Sequence, residues 1–353
     1  VRGYGVAVIP GDGVGPEVVG TACRVLDRAG ELWGFELRWE IFDWGCGRYL
    51  RTGRVMPRDG LDRLRGCDAI FLGPVGHPTV PDRIPLEGLL IPIRRGFEQY
   101  VDLRPARLFD GVRSPIRNVR GGEIDFVVVR ENSEGECSEV GGRLHRGTLR
   151  EMAVQEAVFS RPGLERIMRY AFELARERGG ELASAVAVDG ITHTMPLWDE
   201  VFSGLAEEYP DVRTVRHSAE ELAALFVLRP QQFDVVVASS LLGGILADLG
   251  AAVSGSGGMA PSASLNPGRE HPSMFGPRHG PVPEAAGRGT ANPLGQVWSG
   301  AMMLEHLGER EACEGIMAAL QRVLPHTEGL TPDLGGSART AQVANALMGA
   351  LEC

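Results

Sequence analysis

Short β-branched runs alternate with segments of helical periodicity along almost the whole chain, and this alternation constrains the fold more than any other feature. Residues 5–10 form a β-type run that breaks at Gly11-Asp12-Gly13. A helix is expected next, with Pro16 near its first turn, where the missing N–H of proline costs nothing. Residues 35–42 alternate as a strand, 67–73 read as a buried strand and 91–100 as a helix. The run 123–130 is a strong strand ending at Arg130-Glu131-Asn132, and 161–178 is amphipathic at helical spacing. Residues 183–188, 212–216 and 233–239 read as strands, separated by helices at 197–207 and 219–228. A helix runs from Ser240 to Leu249, and helices near 295–307, 309–323 and 337–351 close the sequence. No internal repeat is visible. The fold class is therefore α/β with interleaved strands and helices. The Gly/Pro/Ser-rich stretch 251–289 is too long for an idle loop, so it is expected to be functional or cofactor-facing. At 353 residues the chain suits two domains better than one.

Composition excludes several classes of function. The net charge of −10 argues against nucleic acid, since phosphate binding requires a basic face. No apolar run reaches the roughly 18 residues that span a bilayer, and the N-terminus does not read as a signal peptide. The six cysteines form no C-x-x-C pair, so neither a disulfide framework nor a zinc site is expected. Reduced thiols in a cytoplasmic protein are the expectation. All 36 basic residues are arginine. A GC-rich genome accounts for that bias, but its chemical consequence holds regardless: no lysine is available as a general base, as a Schiff base or for a Walker A loop.

Several long segments carry a resemblance. They are GDGVGPEV at 11–18, DFVVVRENSEG at 125–135, FDVVVASSLLGGILADL at 233–249, and His279-Gly280 followed by Gly289-Thr290-Ala291-Asn292-Pro293. Together they resemble the isocitrate/isopropylmalate family of NAD-linked β-decarboxylating dehydrogenases. LIPIRRGFEQYVDLRP at 90–105, ITHTMPLWDE at 191–200 and residues 262–275 are most similar to the tartrate/D-malate branch. The likeness runs from about residue 4 to 352. It implies a homodimer whose subunit has a large mixed sheet flanked by helices, which is not the Rossmann fold. The G-x-G-x-x-G fingerprint fails here, because Pro16 stands where its last glycine belongs. The implied domains are a discontinuous cofactor-side domain, 1–101 with 254–353, and a central substrate and dimerisation domain, 102–253. The cleft between them would draw residues from both subunits.

The resemblance also assigns residues. Arg94, Arg104 and Arg130 fall where the family clamps substrate carboxylates, a task that suits the planar, permanently charged guanidinium. His279, Gly280, Pro283, Glu284 and Asn292 fall on its NAD loop. Glu284 replaces the usual Asp, and a carboxylate there favours NAD over NADP by accepting the ribose hydroxyls. The serine and alanine that usually follow His-Gly are Pro281 and Val282. Three aspartates of the family hold Mg2+ or Mn2+, and these become Glu220, Gly244 and Asp248. Metal binding is thus doubtful, because Mg2+ tolerates little change in donor geometry. The general-base lysine falls at Ala187, the acid tyrosine at Cys137, and an asparagine before Leu-Arg-Pro at Asp102. Cys137, Asp102, Asp189, His193 and Glu220 are the candidates for a rebuilt site, with His193 read as supportive and Cys137 as a filler or a nucleophile. Three functions stay open: a divergent enzyme that binds a small carboxylate and NAD with altered chemistry, a noncatalytic homodimer, and a working tartrate/D-malate-type dehydrogenase.

Overall fold

The computed structural model describes residues 2–186 and 190–352. They fall into two compact units. One comprises Val1–Gln99, Arg107–Glu123 and Ser254–Cys353, and the other Tyr100–Ala106 and Ile124–Val253.

In the first unit the strands run in the order Phe35–Ile41, Arg2–Ile9, Ala69–Leu72, Ser273–Pro277, Pro261–Leu265. The first three pairings are parallel and the last is antiparallel. Helix Gly15–Trp33 buries Val18, Val19, Ala22, Val25, Leu26 and Ala29, the stripe that a helical repeat places on one face. Pro16 sits in its first turn, and Gly34 ends it in the left-handed conformation. Helices Leu294–Leu307, Arg310–Val323 and Thr340–Leu351 pack around it.

The second unit orders Val101–Arg107, Asp125–Glu131, Val235–Ala238, Glu181–Val186 and Arg213–Ser218, and its last three pairings are parallel. Helices Arg161–Arg178, Thr194–Glu208, Ala219–Leu228 and Ser240–Val253 belong to it. Ser160 caps the first of these by accepting the Gly163 N–H at 3.1 Å. An antiparallel arm, Gly141–Leu144 with Met152–Gln155, leaves Leu144, Met152 and Val154 exposed. Both units are mixed α/β, with helices flanking their strands.

Two local expectations need correction, and one strand had drawn none. The stretch 251–289 is not one loop, because strands Pro261–Leu265 and Ser273–Pro277 lie within it. Their pattern is obscured by buried polar residues such as Ser264, Ser273 and Asn266, which bond internally (Asn266 N–H to Ser273 Oγ at 2.9 Å). The expected helix 91–100 stops at Gly96 and is preceded by a π-helical turn, Leu86–Leu90. Strand Val101–Arg107 gave no hydrophobic alternation because it buries Asp102 and Arg104 beside Val101 and Ala106.

Candidate active site

Asp102 and Arg104 lie two residues apart on one strand, so their side chains leave the same face. Arg104 donates through Nε and Nη2 to the two oxygens of Asp102, at 2.8 Å each, the forked geometry a guanidinium offers a carboxylate. Arg130, from the neighbouring strand Asp125–Glu131, donates through Nη1 to Asp102 Oδ2 at 2.9 Å and to Asn132 Oδ1 at 3.1 Å. Its Nε donates to the carbonyl of Ser240 at 2.6 Å. Asp102 is fully buried, while the Arg104 and Arg130 side chains are 9% and 15% exposed. Gly243 makes this possible, since a Cβ there would stand 2.8 Å from Arg130 Cγ.

The chain after Arg130 turns on carboxylates. Glu131 is buried and accepts the backbone N–H and Oγ of Ser133 and the N–H of Glu134. Burial pushes its carboxyl above the ordinary value, and those hydrogen bonds pull it partly back. Glu136 accepts Ser239 Oγ at 2.7 Å, Ser240 Oγ at 2.8 Å and the Leu241 N–H at 3.1 Å. It thus places a negative charge on the N-terminus of helix Ser240–Val253, where the helix dipole favours one. Cys137 follows, exposed, with its N–H 3.3 Å from Ser240 Oγ.

The remaining candidates are spread. Gly244 and Asp248 lie one turn apart on helix Ser240–Val253, and Gly244 brings no side chain to that face. Glu220 is exposed in the first turn of Ala219–Leu228. Among the described residues no three His, Cys, Asp or Glu gather in a way that could hold a metal ion. His193 is exposed at the start of helix Thr194–Glu208 and caps nothing with its side chain. Asp189 and Ala187 lie outside the described residues. Arg94 lies in the last turn of the short helix Ile91–Gly96 in the first unit, whereas Arg104 and Arg130 belong to the second.

The cofactor candidates lie in the first unit. His279 and Asn292 line a cavity of about 260 Å³ with Val14, Gly258, Val282 and Asp333. His279 Nδ1 is 2.9 Å from the carbonyl of Gly280, so that nitrogen carries the proton. Burial lowers the imidazole pKa, with smaller opposing contributions from Gly280 and Asp333, so the ring is neutral. Nε2 is then a bare acceptor, buried and without a hydrogen-bond partner among the described residues. An unsatisfied acceptor in a cavity of this kind suits an exocyclic amine, so the pocket fits the adenine end of a dinucleotide. Glu284 lies on the exposed turn Pro283–Ala285 and Gly280 is exposed; neither lines the cavity.

Four further residues, of which Asp333 lines the cavity and the others brace the backbone around it, were missed in the sequence. Asp12 accepts the N–H groups of Cys46, Gly47 and Gly76, and so acts as a backbone anchor. Gly13, at φ +60°, lets the Pro281 carbonyl approach and receive the Val14 N–H at 2.8 Å. Glu17 accepts the Ala291 N–H at 3.1 Å and the Thr340 hydroxyl. Asp333 accepts Asn292 Nδ2 at 2.8 Å. The glycines around Asp12 were a usable signal, whereas Asp333, 41 residues from Asn292, left none.

The family model described as Isocitrate/isopropylmalate dehydrogenase matches residues 5–347. The chain belongs to that family. It is 49% identical over 350 residues to the D-malate dehydrogenase [decarboxylating] of Escherichia coli, covering 97% of each chain. It is 47% identical to a probable tartrate dehydrogenase/decarboxylase of Bacillus subtilis, covering 98% of this chain and 97% of the other. Among solved structures, isocitrate dehydrogenase from Methylococcus capsulatus superposes with a TM-score of 0.88 at 30% identity, covering 99% of this chain and 100% of the other. The fold and the D-malate/tartrate-like character of this oxidoreductase-family chain therefore stand as the motifs implied. No helix among the described residues is long and apolar enough to cross a membrane.

Proposed function

We propose that this chain binds a small 2-hydroxy carboxylic acid through Arg104 and Arg130, with Arg94, and NAD through residues 279–292. We propose further that its chemical step departs from metal-dependent oxidative decarboxylation. The observation that supports the binding reading is that Arg104 and Arg130, the arginines that the motifs assign to the clamp, come from neighbouring strands and meet at Asp102. Three features support the altered chemistry. The chain has no lysine to serve as the family's general base, Cys137 stands in place of the acid tyrosine, and Gly244 supplies no metal oxygen. With Asp248 as the one unchanged aspartate, the donor set does not suit a cation that demands near-octahedral oxygen ligation. The exposed apolar side chains of the arm, Leu144, Met152 and Val154, support a homodimer that covers them.

A second reading is an ordinary tartrate/D-malate-type NAD dehydrogenase. The 45–49% identity to relatives named for those activities favours it, and favours it more directly than the altered chemistry. Both readings share the binding half, which titration calorimetry tests. NAD and a small 2-hydroxy acid are expected to bind, and Arg130→Gln is expected to abolish acid binding while leaving NAD affinity intact. Acid affinity unaffected by Arg130→Gln would remove the clamp from the account.

A further inference from the structure

We propose that Glu136 is a positioning residue for the clamp: by holding one peptide unit at the start of helix Ser240–Val253, it sets the Arg130 guanidinium for acid binding. The inference rests on the reading of Arg130 as an acid-binding residue. The link is the peptide between Ser240 and Leu241. Its N–H donates to Glu136 Oε2 at 3.1 Å, and its carbonyl accepts Arg130 Nε at 2.6 Å. A trans peptide is planar, so its N–H and C=O cannot turn independently. The Leu241 N–H is also one of the first-turn donors that a helix cannot satisfy internally, and helix ends fray where such donors lack a partner.

Glu136 grips this peptide by more than one bond. Its Oε1 accepts the Ser239 hydroxyl at 2.7 Å and its Oε2 the Ser240 hydroxyl at 2.8 Å. The turn that carries Glu136 can lie so close because Gly135, at φ +87°, has no side chain; a Cβ there would stand 2.9 Å from Ser240 Oγ. The Gly135 N–H donates to the Val158 carbonyl at 2.7 Å and anchors the turn from its other side. On the far side of the peptide, Arg130 Nη1 donates to Asp102 Oδ2 at 2.9 Å. With Nε set by Ser240 and Nη1 by Asp102, the plane of the guanidinium is fixed, and with it the direction in which Nη2 meets a carboxylate oxygen. Hydrogen bonds in series polarise one another, so a charged acceptor at Glu136 strengthens the bond from Arg130 to the Ser240 carbonyl. Glu136 thus acts on the acid through Arg130.

The test uses the full-length protein saturated with NAD, with D-malate as the titrated probe. Glu136→Ala is expected to weaken D-malate binding about tenfold or more, as a misplaced binding group does, while NAD affinity stays as in wild type. Glu136→Gln keeps the shape and an oxygen for the Leu241 N–H, so it is expected to lose much less. Ser160→Ala removes the cap of helix Arg161–Arg178 in the same unit and is expected to lower Tm without changing D-malate affinity. NMR of the arginine Nε–H groups gives a readout without acid: the signal lost in Arg130→Gln is expected to exchange with solvent about tenfold or more faster in Glu136→Ala. Wild-type D-malate affinity and wild-type exchange in Glu136→Ala overturn the proposal. So does an equal loss in Glu136→Gln, which would mean charge and not position, or an equal loss in Ser160→Ala, which would mean general destabilisation. If Glu136→Ala does not fold, Glu136→Asp takes its place, since a side chain one methylene shorter cannot keep all three bonds; wild-type affinity and exchange there overturn the proposal too. Arg130→Gln separates the layers: unchanged D-malate affinity in that variant removes the clamp and this inference with it. If Arg130→Gln abolishes binding and Glu136→Ala behaves as wild type, the clamp stands and this inference alone falls.

Discussion

Replacing Gly243 by Ala puts a methyl group 2.8 Å from Arg130 Cγ and 3.0 Å from its Cβ, well inside the contact distance of carbon atoms. Two effects oppose each other. Alanine favours a helix over glycine by about 1 kcal/mol. Overpacking costs about 1–3 kcal/mol, and displacing Arg130 weakens charge-assisted bonds to Ser240 and Asp102 worth about 1.5–3 kcal/mol each. The losses win, so Gly243→Ala should destabilise the protein by about 1–3 kcal/mol and reduce affinity for a small 2-hydroxy acid about tenfold or more. The neighbouring Gly244→Ala meets only Arg130 Nε, at an ordinary 3.6 Å. Helix propensity then acts alone, and Tm should rise by about 2 °C with binding unchanged. Differential scanning calorimetry and titration of both variants check the pair. Gly243→Ala with wild-type stability and affinity would show that Arg130 is not held against this helix as described.

Burial, with a smaller push from Arg269, lowers the His306 imidazole from its ordinary value to about 4. The unfolded chain therefore binds the extra proton between about pH 6.5 and 4, so this stability is present above 6.5 and lost as pH falls through that window; His306→Leu should flatten that limb in urea titrations from pH 7 to 4, and an unchanged slope would contradict the assignment. Glu284→Gln should weaken NAD binding measurably by calorimetry, whereas equal wild-type affinity for NAD and NADP would remove the ribose argument. Sedimentation at micromolar concentration should give a dimer, and truncating the arm side chains Leu144, Met152 and Val154 to Ser should shift it toward monomer; a wild-type monomer would contradict a dimer covering the arm.

The longer helices were legible, as Gly15–Trp33 was with its apolar stripe, Pro16 and Gly34, whereas the short Cys46–Thr52 and Gly60–Leu64 gave no expectation and the helix at 91–100 was drawn too long. The parallel strands were legible as short β-branched runs such as Val127-Val128-Val129. Val101–Arg107 and the pair within 251–289 were not, because their buried positions include polar side chains whose partners lie far along the chain, Arg130 for Asp102 and the Phe97 carbonyl for Asn266 beside the second strand pair. The site divides the same way. The arginines and His279 could be found because they sit in long motifs. That Asp102 pairs with both Arg104 and Arg130, and that Glu136 holds the start of helix Ser240–Val253, depends on which strands become neighbours, and no local pattern encodes that. Sequence marked Asp102 only as an added charge, whereas its geometry makes it the centre of the cluster.

On the proposed reading the binding sites persist while the family's proton-transfer and metal chemistry does not. The most direct measurement is steady-state NADH formation by the wild-type protein with NAD, Mn2+ or Mg2+, and D-malate, tartrate or isopropylmalate in turn. Loss of a positioned acid or base typically costs about 10²–10⁴-fold in rate, and the losses act together, so turnover is expected far below 1 s⁻¹ on every acid. The combined variant Ala187→Lys, Cys137→Tyr, Glu220→Asp and Gly244→Asp should then regain measurable NADH formation. A wild-type turnover of about 1–10 s⁻¹ on any of these acids, the ordinary range for enzymes, would contradict the claim and establish the chain as a working dehydrogenase of the tartrate/D-malate type.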